Sequence, residues 1–145
     1  MIVVTGGVFD LLHYGHVLHL KTCESLAGNM DDVVVMLVTD EWGEERKRTP
    51  ILSYPERFKM LKALGVKNIV SVNAPEDLLE RVKTINPVFY VYDYGTNAKA
   101  HDPVIAYCNE VDIGLVNLNK VPRNPYMTST SSIIERIQND KRNNR

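Results

Sequence analysis

Five short apolar runs constrain this chain more than anything else in it. They are "MIVVT" at the start, "VVVMLVT" (33–39), "NIVSV" (68–72), "VFYVY" (88–92) and "DIGLVNL" (112–118). Each is rich in β-branched or aromatic residues, and each is nearly continuous in hydrophobicity. That is the pattern of parallel strands covered on both faces. Helix-period segments lie between them. Val17, Leu20 and Leu26 mark a first helix, Phe58, Leu61 and Leu64 a second, and Leu78, Val82 and Ile85 a third. Ser53 followed by Glu56 forms a capping box with Pro55 in the first turn. Pro75 and Pro103 are predicted to open the next two helices in the same way, the second of them short. A last helix is predicted from about Ser129 to Asn139.

Strand–helix alternation over the whole length predicts one α/β domain over residues 1–145, with about 140–145 a solvated tail. Its architecture is a Rossmann-like doubly wound five-stranded parallel sheet with helices on both faces. In such sheets ligands sit outside the carboxyl ends of the strands, where the strand order reverses. The first strand flanks that point, and the stretch leaving it is "GGVFDLLHYGH".

The wider composition narrows the function classes. The chain has 145 residues, 44% hydrophobic and 24% charged, which suits a globular domain with a real core. A net charge of −1 provides no basic field to draw it to nucleic acid or a membrane. Cys23 and Cys108 form no C-x-x-C pair and read as free thiols in a reducing cytoplasm. The opening "MIVVTGG" has neither a basic segment nor a long apolar one, so no signal peptide is read there. No apolar run approaches the length of a membrane span. A cytoplasmic location is the expectation.

In the opening stretch, Gly6 and Gly7 allow close backbone approach to a ligand. His13 and His16, three apart at a helix entry, share one face, and Gly15 between them leaves room for a bulky ligand. A helix N-terminus with two imidazoles is a phosphate site, helped by the free N–H groups of the first turn. The P-loop pattern G-x-x-x-x-G-K-[ST] is missing, as are G-x-G-x-x-G and H-E-x-x-H.

"TGGVFDLLHYGH" resembles the signature T-x-G-x-F-D-x-x-H-x-G-H of the cytidylyltransferase-like nucleotidyltransferases. Thr5, Gly7, Phe9, Asp10, His13, Gly15 and His16 match it. "RKRTPILSYPERFKMLKAL" resembles the family's basic loop followed by S-x-x-E-R, "VFYVYDYG" its fourth-strand segment, and "MTSTSSIIERI" its last-helix signature. The resemblance implies transfer of a nucleotidyl group from a nucleoside triphosphate to a phosphorylated acceptor, with release of pyrophosphate. It implies that His13 and His16 contact the triphosphate, His16 as chief stabiliser of the transition state. Gly7, Val8 and Phe9 would give backbone contacts to the nucleotide. Asp10 would fix the loop or help hold Mg²⁺, which would ride mainly on the triphosphate. Arg46 or Arg48 would reach the α-phosphate or acceptor, Arg57 the ligand, and Asp93 the nucleotide. Arg123, Ser129, Thr130 and Ser131 would cradle the β- and γ-phosphates.

The leading expectation is CTP with glycerol 3-phosphate or a similar polyol phosphate. ATP with a heptose 1-phosphate is the alternative, a non-catalytic nucleotide-binding module a second, and a nicotinamide-mononucleotide or pantetheine-phosphate adenylyltransferase a more distant one. A homodimer is implied by the resemblance alone. The chain departs from the pattern at Tyr92, where the family often has Gly, at Ser132, where it has a cation, and at Gly65, where many glycerol-phosphate members have Arg. One extra residue also lies between Arg123 and Ser129.

Overall fold

The computed structural model describes residues 1–44, 49–93, 98–120 and 130–139. The strands are β1 (Val3–Gly7), β2 (Val33–Val38), β3 (Asn68–Val72), β4 (Phe89–Tyr92) and β5 (Gly114–Asn117). The helices are α1 (Tyr14–Ala27), α2 (Asp40–Glu44), α3 (Tyr54–Ala63), α4 (Pro75–Ile85), α5 (Ala98–Val111) and α6 (Thr130–Asn139). All pairings are parallel, in the order β3-β2-β1-β4-β5. The order reverses between β1 and β4, so β1 does flank the switch point.

Alternate residues of the strands feed two cores. Val3, Val33, Val35, Leu37 and Val91 face α1 and α3, where they meet Leu20, Cys23, Ala27 and Leu61. Val4, Met36, Val38, Tyr90 and Tyr92 face α4 and α5, where they meet Leu78, Val82, Val104 and Cys108. Burial on both sides explains the continuous apolar runs: neither pleat face has a polar side to show.

Three differences from the sequence reading have physical causes. β1 runs on to Gly7, because Gly6 and Gly7 stay in register with Met36 and Leu37 of β2. The two glycines therefore end the strand rather than open the loop. The fourth helix begins at Ala98, so Pro103 lies inside it instead of opening it. Burial of Ala100, His101, Val104 and Cys108 along one face outweighs the lost helical hydrogen bond. In α3 the inward positions are Arg57 and Leu61, while Leu64 is 41% exposed. The short α2 carries no apolar period and was not anticipated.

Gly114 is the tightest point of the sheet. It pairs with Phe89, whose ring carbons Cδ1 and Cε1 would lie 2.5 Å from any Cβ added there. Gly114→Ala is expected to lower stability by about 1–3 kcal/mol, the usual cost of forcing extra atoms into a packed site. Urea unfolding of the two proteins checks this, and an unchanged midpoint would refute it.

Candidate active site

The loop between β1 and α1 is built on two left-handed residues that are not glycine. Phe9 has φ +52° and Leu11 φ +41°. Bulky side chains disfavour this region, so the loop needs outside support. Asp10, between them, supplies part of it. Its Oδ2 accepts from the Ile51 amide at 2.7 Å and its Oδ1 from the Leu52 amide at 2.9 Å. Arg57 supplies the rest. It is fully buried and donates to the carbonyls of Val8, Val38 and Leu52. Its other terminal nitrogen pairs with Asp40 at 2.7 Å.

Two expected site residues hold the loop from inside. The Arg57 guanidinium, expected at the ligand, joins the loop at Val8, the end of β2 at Val38 and the 51–52 segment. The sequence signal for its true place was its position four residues before Leu61, on the apolar face of α3. Asp10 fixes the loop, the first of the two roles that the resemblance implies. It is 4% exposed, and both its oxygens already accept backbone N–H groups. Among the described residues no group of three or more His, Cys, Asp or Glu could hold a metal.

The phenyl ring of Phe9 folds back over β1. A Cβ on Gly7 would come within 3.0 Å of its Cε2, so Gly7 makes space for this ring. Phe9 then packs against His16, with centroids 5.4 Å apart, and against His19 at 5.3 Å.

His13 and His16 form a reciprocal cap at the start of α1. The Nδ1 of His13 accepts from the Gly15 amide at 3.0 Å, and the Nδ1 of His16 accepts from the His13 amide at 3.3 Å. This is a capping box with imidazoles in place of a hydroxyl and a carboxylate. Since each Nδ1 accepts, each ring carries its proton on Nε2. The amides of His16 and Val17 also turn inward, to the His13 carbonyl. The first-turn N–H groups of Gly15, His16 and Val17, assigned to a phosphate from the sequence, are therefore taken, which leaves the Nε2–H groups as the side-chain donors of the pair.

The rings are also uncharged in the free protein. Burial, then the neighbouring His13 and His19, push His16 down from 6.5 to about 3. Burial alone pushes His19 to about 4 and lowers His13. The His13 and His16 ring centroids are 4.0 Å apart, so two charges there would repel strongly. The site presents oriented neutral donors rather than the cationic pair that the sequence suggests.

His19 is the residue that sequence reading missed. It extends the row 13, 16, 19, and that spacing was the available signal. Its Nε2 lies 2.6 Å from Thr5 Oγ1.

The expected residues Arg46, Arg48, Arg123 and Ser129 lie outside the described residues. Thr130 and Ser131 open α6. Asp93 follows β4 directly, beside the switch point. Tyr92, where the family often has Gly, stacks on Tyr90 at 5.5 Å and packs against His101 within the core below α5. Gly65 takes φ +97° just after α3, ahead of the start of β3, at the sheet edge opposite the β1 loop.

The depressed histidines make stability depend on pH. His16 and His19 stay neutral in the fold but protonate near 6.5 once unfolded. The unfolded chain thus binds more protons between pH 6.5 and about 4, so their contribution is complete above 6.5 and is lost on acidification. A loss of about 1–3 kcal/mol between pH 7 and pH 5 is expected from urea titrations, after allowing for partial exposure of the rings. His19→Gln should flatten that slope, and an equal slope in both proteins would refute the assignment.

Comparison with known proteins agrees with this architecture. The model of the cytidylyltransferase-like family matches residues 4–136. The chain is 32% identical over 138 residues to the FAD synthase of Methanopyrus kandleri, covering 93% of this chain and 90% of that one. It is 32% identical over 143 residues to the FAD synthase of Pyrococcus horikoshii, with the same coverage. Against the FAD synthase of Thermococcus sibiricus it is 46% identical over 87 residues, 59% of this chain and 57% of the relative. Among solved structures, a lipopolysaccharide core biosynthesis protein from Thermoplasma volcanium superposes with a TM-score of 0.62 at 24% identity, covering 81% of this chain and 93% of that one. A protein of unknown function from Archaeoglobus fulgidus superposes with a TM-score of 0.66 at 18% identity, covering 86% and 96%. These two share the fold. No helix among the described residues is long and apolar enough to cross a membrane. With the family model spanning both the histidine loop and the start of α6, the chain belongs to the cytidylyltransferase-like family and is a nucleotidyltransferase.

Proposed function

We propose that this chain transfers the adenylyl group of ATP to the phosphate of flavin mononucleotide, forming FAD and pyrophosphate. The observation that carries the reading is the 32% identity to the FAD synthase of Methanopyrus kandleri over 93% of this chain. It displaces CTP and glycerol 3-phosphate as the leading pair, and keeps the ATP of the alternative with a different acceptor.

The chemistry suits the site. An oxygen of the flavin phosphate attacks the α-phosphorus of ATP, and the bond from that phosphorus to the bridging oxygen breaks. Pyrophosphate leaves with the bonding pair. The attacking phosphate is already an anion, so no general base is required. Alignment and stabilisation of charge are the main demands in such transfers. In this reading the Nε2–H groups of His13 and His16 donate to the triphosphate, and His16 follows the charge that grows at the α-phosphate. Neutral donors fit that task, because the cap and the Phe9 ring orient them before the nucleotide arrives. The backbone of Gly7, Val8 and Phe9 lies alongside the nucleotide, with Asp93 across the switch point. Arg46 or Arg48 serves the α-phosphate or acceptor, and Arg123 with Ser129, Thr130 and Ser131 serves the departing pyrophosphate. Mg²⁺ carried by the triphosphate would offset part of its charge, and a small divalent ion of this kind would keep several waters rather than need a protein cage. Asp10 and Arg57 act as supports.

Purified protein with ATP, FMN and Mg²⁺ is expected to yield FAD and pyrophosphate in equal amounts, resolved by chromatography. CTP, glycerol 3-phosphate and a heptose 1-phosphate serve as competing substrates. Faster pyrophosphate release with CTP and glycerol 3-phosphate would overturn the assignment. His16→Ala should lower kcat by about 10²–10³-fold, the usual cost of losing one oriented donor, with a much smaller change in ATP affinity. An equal fall in both would mean that His16 only binds.

A further inference from the structure

The Thr5 hydroxyl joins β1 to both β4 and α1. It is fully buried and donates to the Val91 carbonyl at 2.7 Å. A hydroxyl has one proton, so toward His19, 2.6 Å away, Thr5 can only accept. His19 therefore donates through Nε2–H, and its tautomer is set. The same His19 ring packs on Phe9 at 5.3 Å, tilted by 40°. Phe9 in turn packs on His16 at 5.4 Å, tilted by 43°. Phe9 is 3% exposed and is held in a left-handed conformation against the bare face of Gly7. A chain of contacts thus runs from the two strands at the switch point, through Thr5, His19 and Phe9, to the ring of His16.

Two rings and one hydrogen bond set the angle of His16. The hydrogen bond from the His13 amide to His16 Nδ1 is 3.3 Å long, at the weak end of the range, and by itself leaves the ring some freedom to swing. The His13 ring, 4.0 Å away between centroids, and the Phe9 ring remove that freedom, and Phe9 is held from behind by His19.

We infer that His19 is a positioning residue for His16, setting the angle of the catalytic imidazole through Phe9 and anchoring it to β1 and β4 through Thr5. This role rests on the adenylyl-transfer reading for its kinetic consequence, but its geometric part holds in the free protein. His19 touches neither nucleotide nor acceptor in this scheme.

Three variants separate its two contacts. His19→Phe keeps a ring against Phe9 and loses the donor. His19→Gln keeps a donor within reach of Thr5 and loses the ring. His19→Ala loses both. At saturating ATP and FMN, the first two are expected to lower kcat by about tenfold and the third by about a hundredfold, with KM for ATP held within about threefold. In the free protein, the ring ¹⁵N and ¹³C resonances of His16 should shift in all three. Thermal midpoints identify which variants remain folded. If the alanine variant does not fold, the phenylalanine and glutamine variants carry the test. Folded variants with wild-type kcat and unmoved His16 resonances would reduce His19 to a stabilising contact and overturn the inference. If the wild-type protein makes no FAD, the adenylyl-transfer reading fails separately, and the His16 resonances alone decide the positioning role.

Discussion

Everything at the site hangs from one buried guanidinium. The β1–α1 loop contains two left-handed bulky residues, Phe9 and Leu11, and would relax without restraint. Arg57 grips the loop at the Val8 carbonyl, the end of β2 at Val38 and the segment entering α3 at Leu52. Asp10 closes the same junction from the loop side through the Ile51 and Leu52 amides. A fully buried charge is tolerable only when paired and well hydrogen-bonded, and Asp40 with three carbonyls meets that condition. Truncating Asp40 would leave the buried guanidinium with carbonyls but no counter-charge, whereas truncating Arg57 would strip three carbonyls of their donor at once. The S-x-x-E-R segment is therefore the foundation of the histidine loop, although the two lie some forty residues apart in the chain.

Given that foundation, the histidines gain direction before they gain charge. An imidazole free in solution at neutral pH is an indifferent donor, part protonated and rotating. Here each Nδ1 is occupied by a backbone amide, so each free proton is confined to Nε2. Burial and crowding keep the rings neutral. Neutrality has a kinetic advantage for a transferase that must release two anionic products. A strongly cationic pocket would hold pyrophosphate as firmly as the triphosphate, whereas preorganised dipoles favour the state in which charge is building.

The sheet was legible because it is buried on both faces, which leaves a run of apolar residues that few other structures need. "NIVSV" appears as β3 with both ends in place. The misread elements are those decided by distant contacts. α5 passes through Pro103 because Val104 and Cys108 pack on Tyr90 and its neighbours, a gain that no local pattern reports. Arg57 read as a ligand contact because S-x-x-E-R matches the family pattern, and only the fold shows the three carbonyls that its guanidinium meets. His13 and His16 were found by motif, but their neutral state depends on packing. The histidine loop bears on the reacting phosphates alone. The FMN of the proposed reaction carries its phosphate on a ribityl chain, so at its reacting end it is a polyol phosphate like glycerol 3-phosphate, and the loop motif does not distinguish the two.

The departures from the family pattern can now be weighed by position. Gly65 serves as the left-handed residue after α3, ahead of β3, so it stands at the wrong edge of the sheet to meet an acceptor. Tyr92 replaces a small residue but sends its ring into the core, against Tyr90 and His101. That substitution fills the space beneath α5. It also explains why a histidine is tolerated there, since His101 Nδ1 and the Tyr90 hydroxyl lie 2.7 Å apart and satisfy each other. Both departures thus have a place in the packing of the fold. Ser132 is different in kind: it stands in the first turn of α6, the helix to which the proposed reaction assigns the departing pyrophosphate.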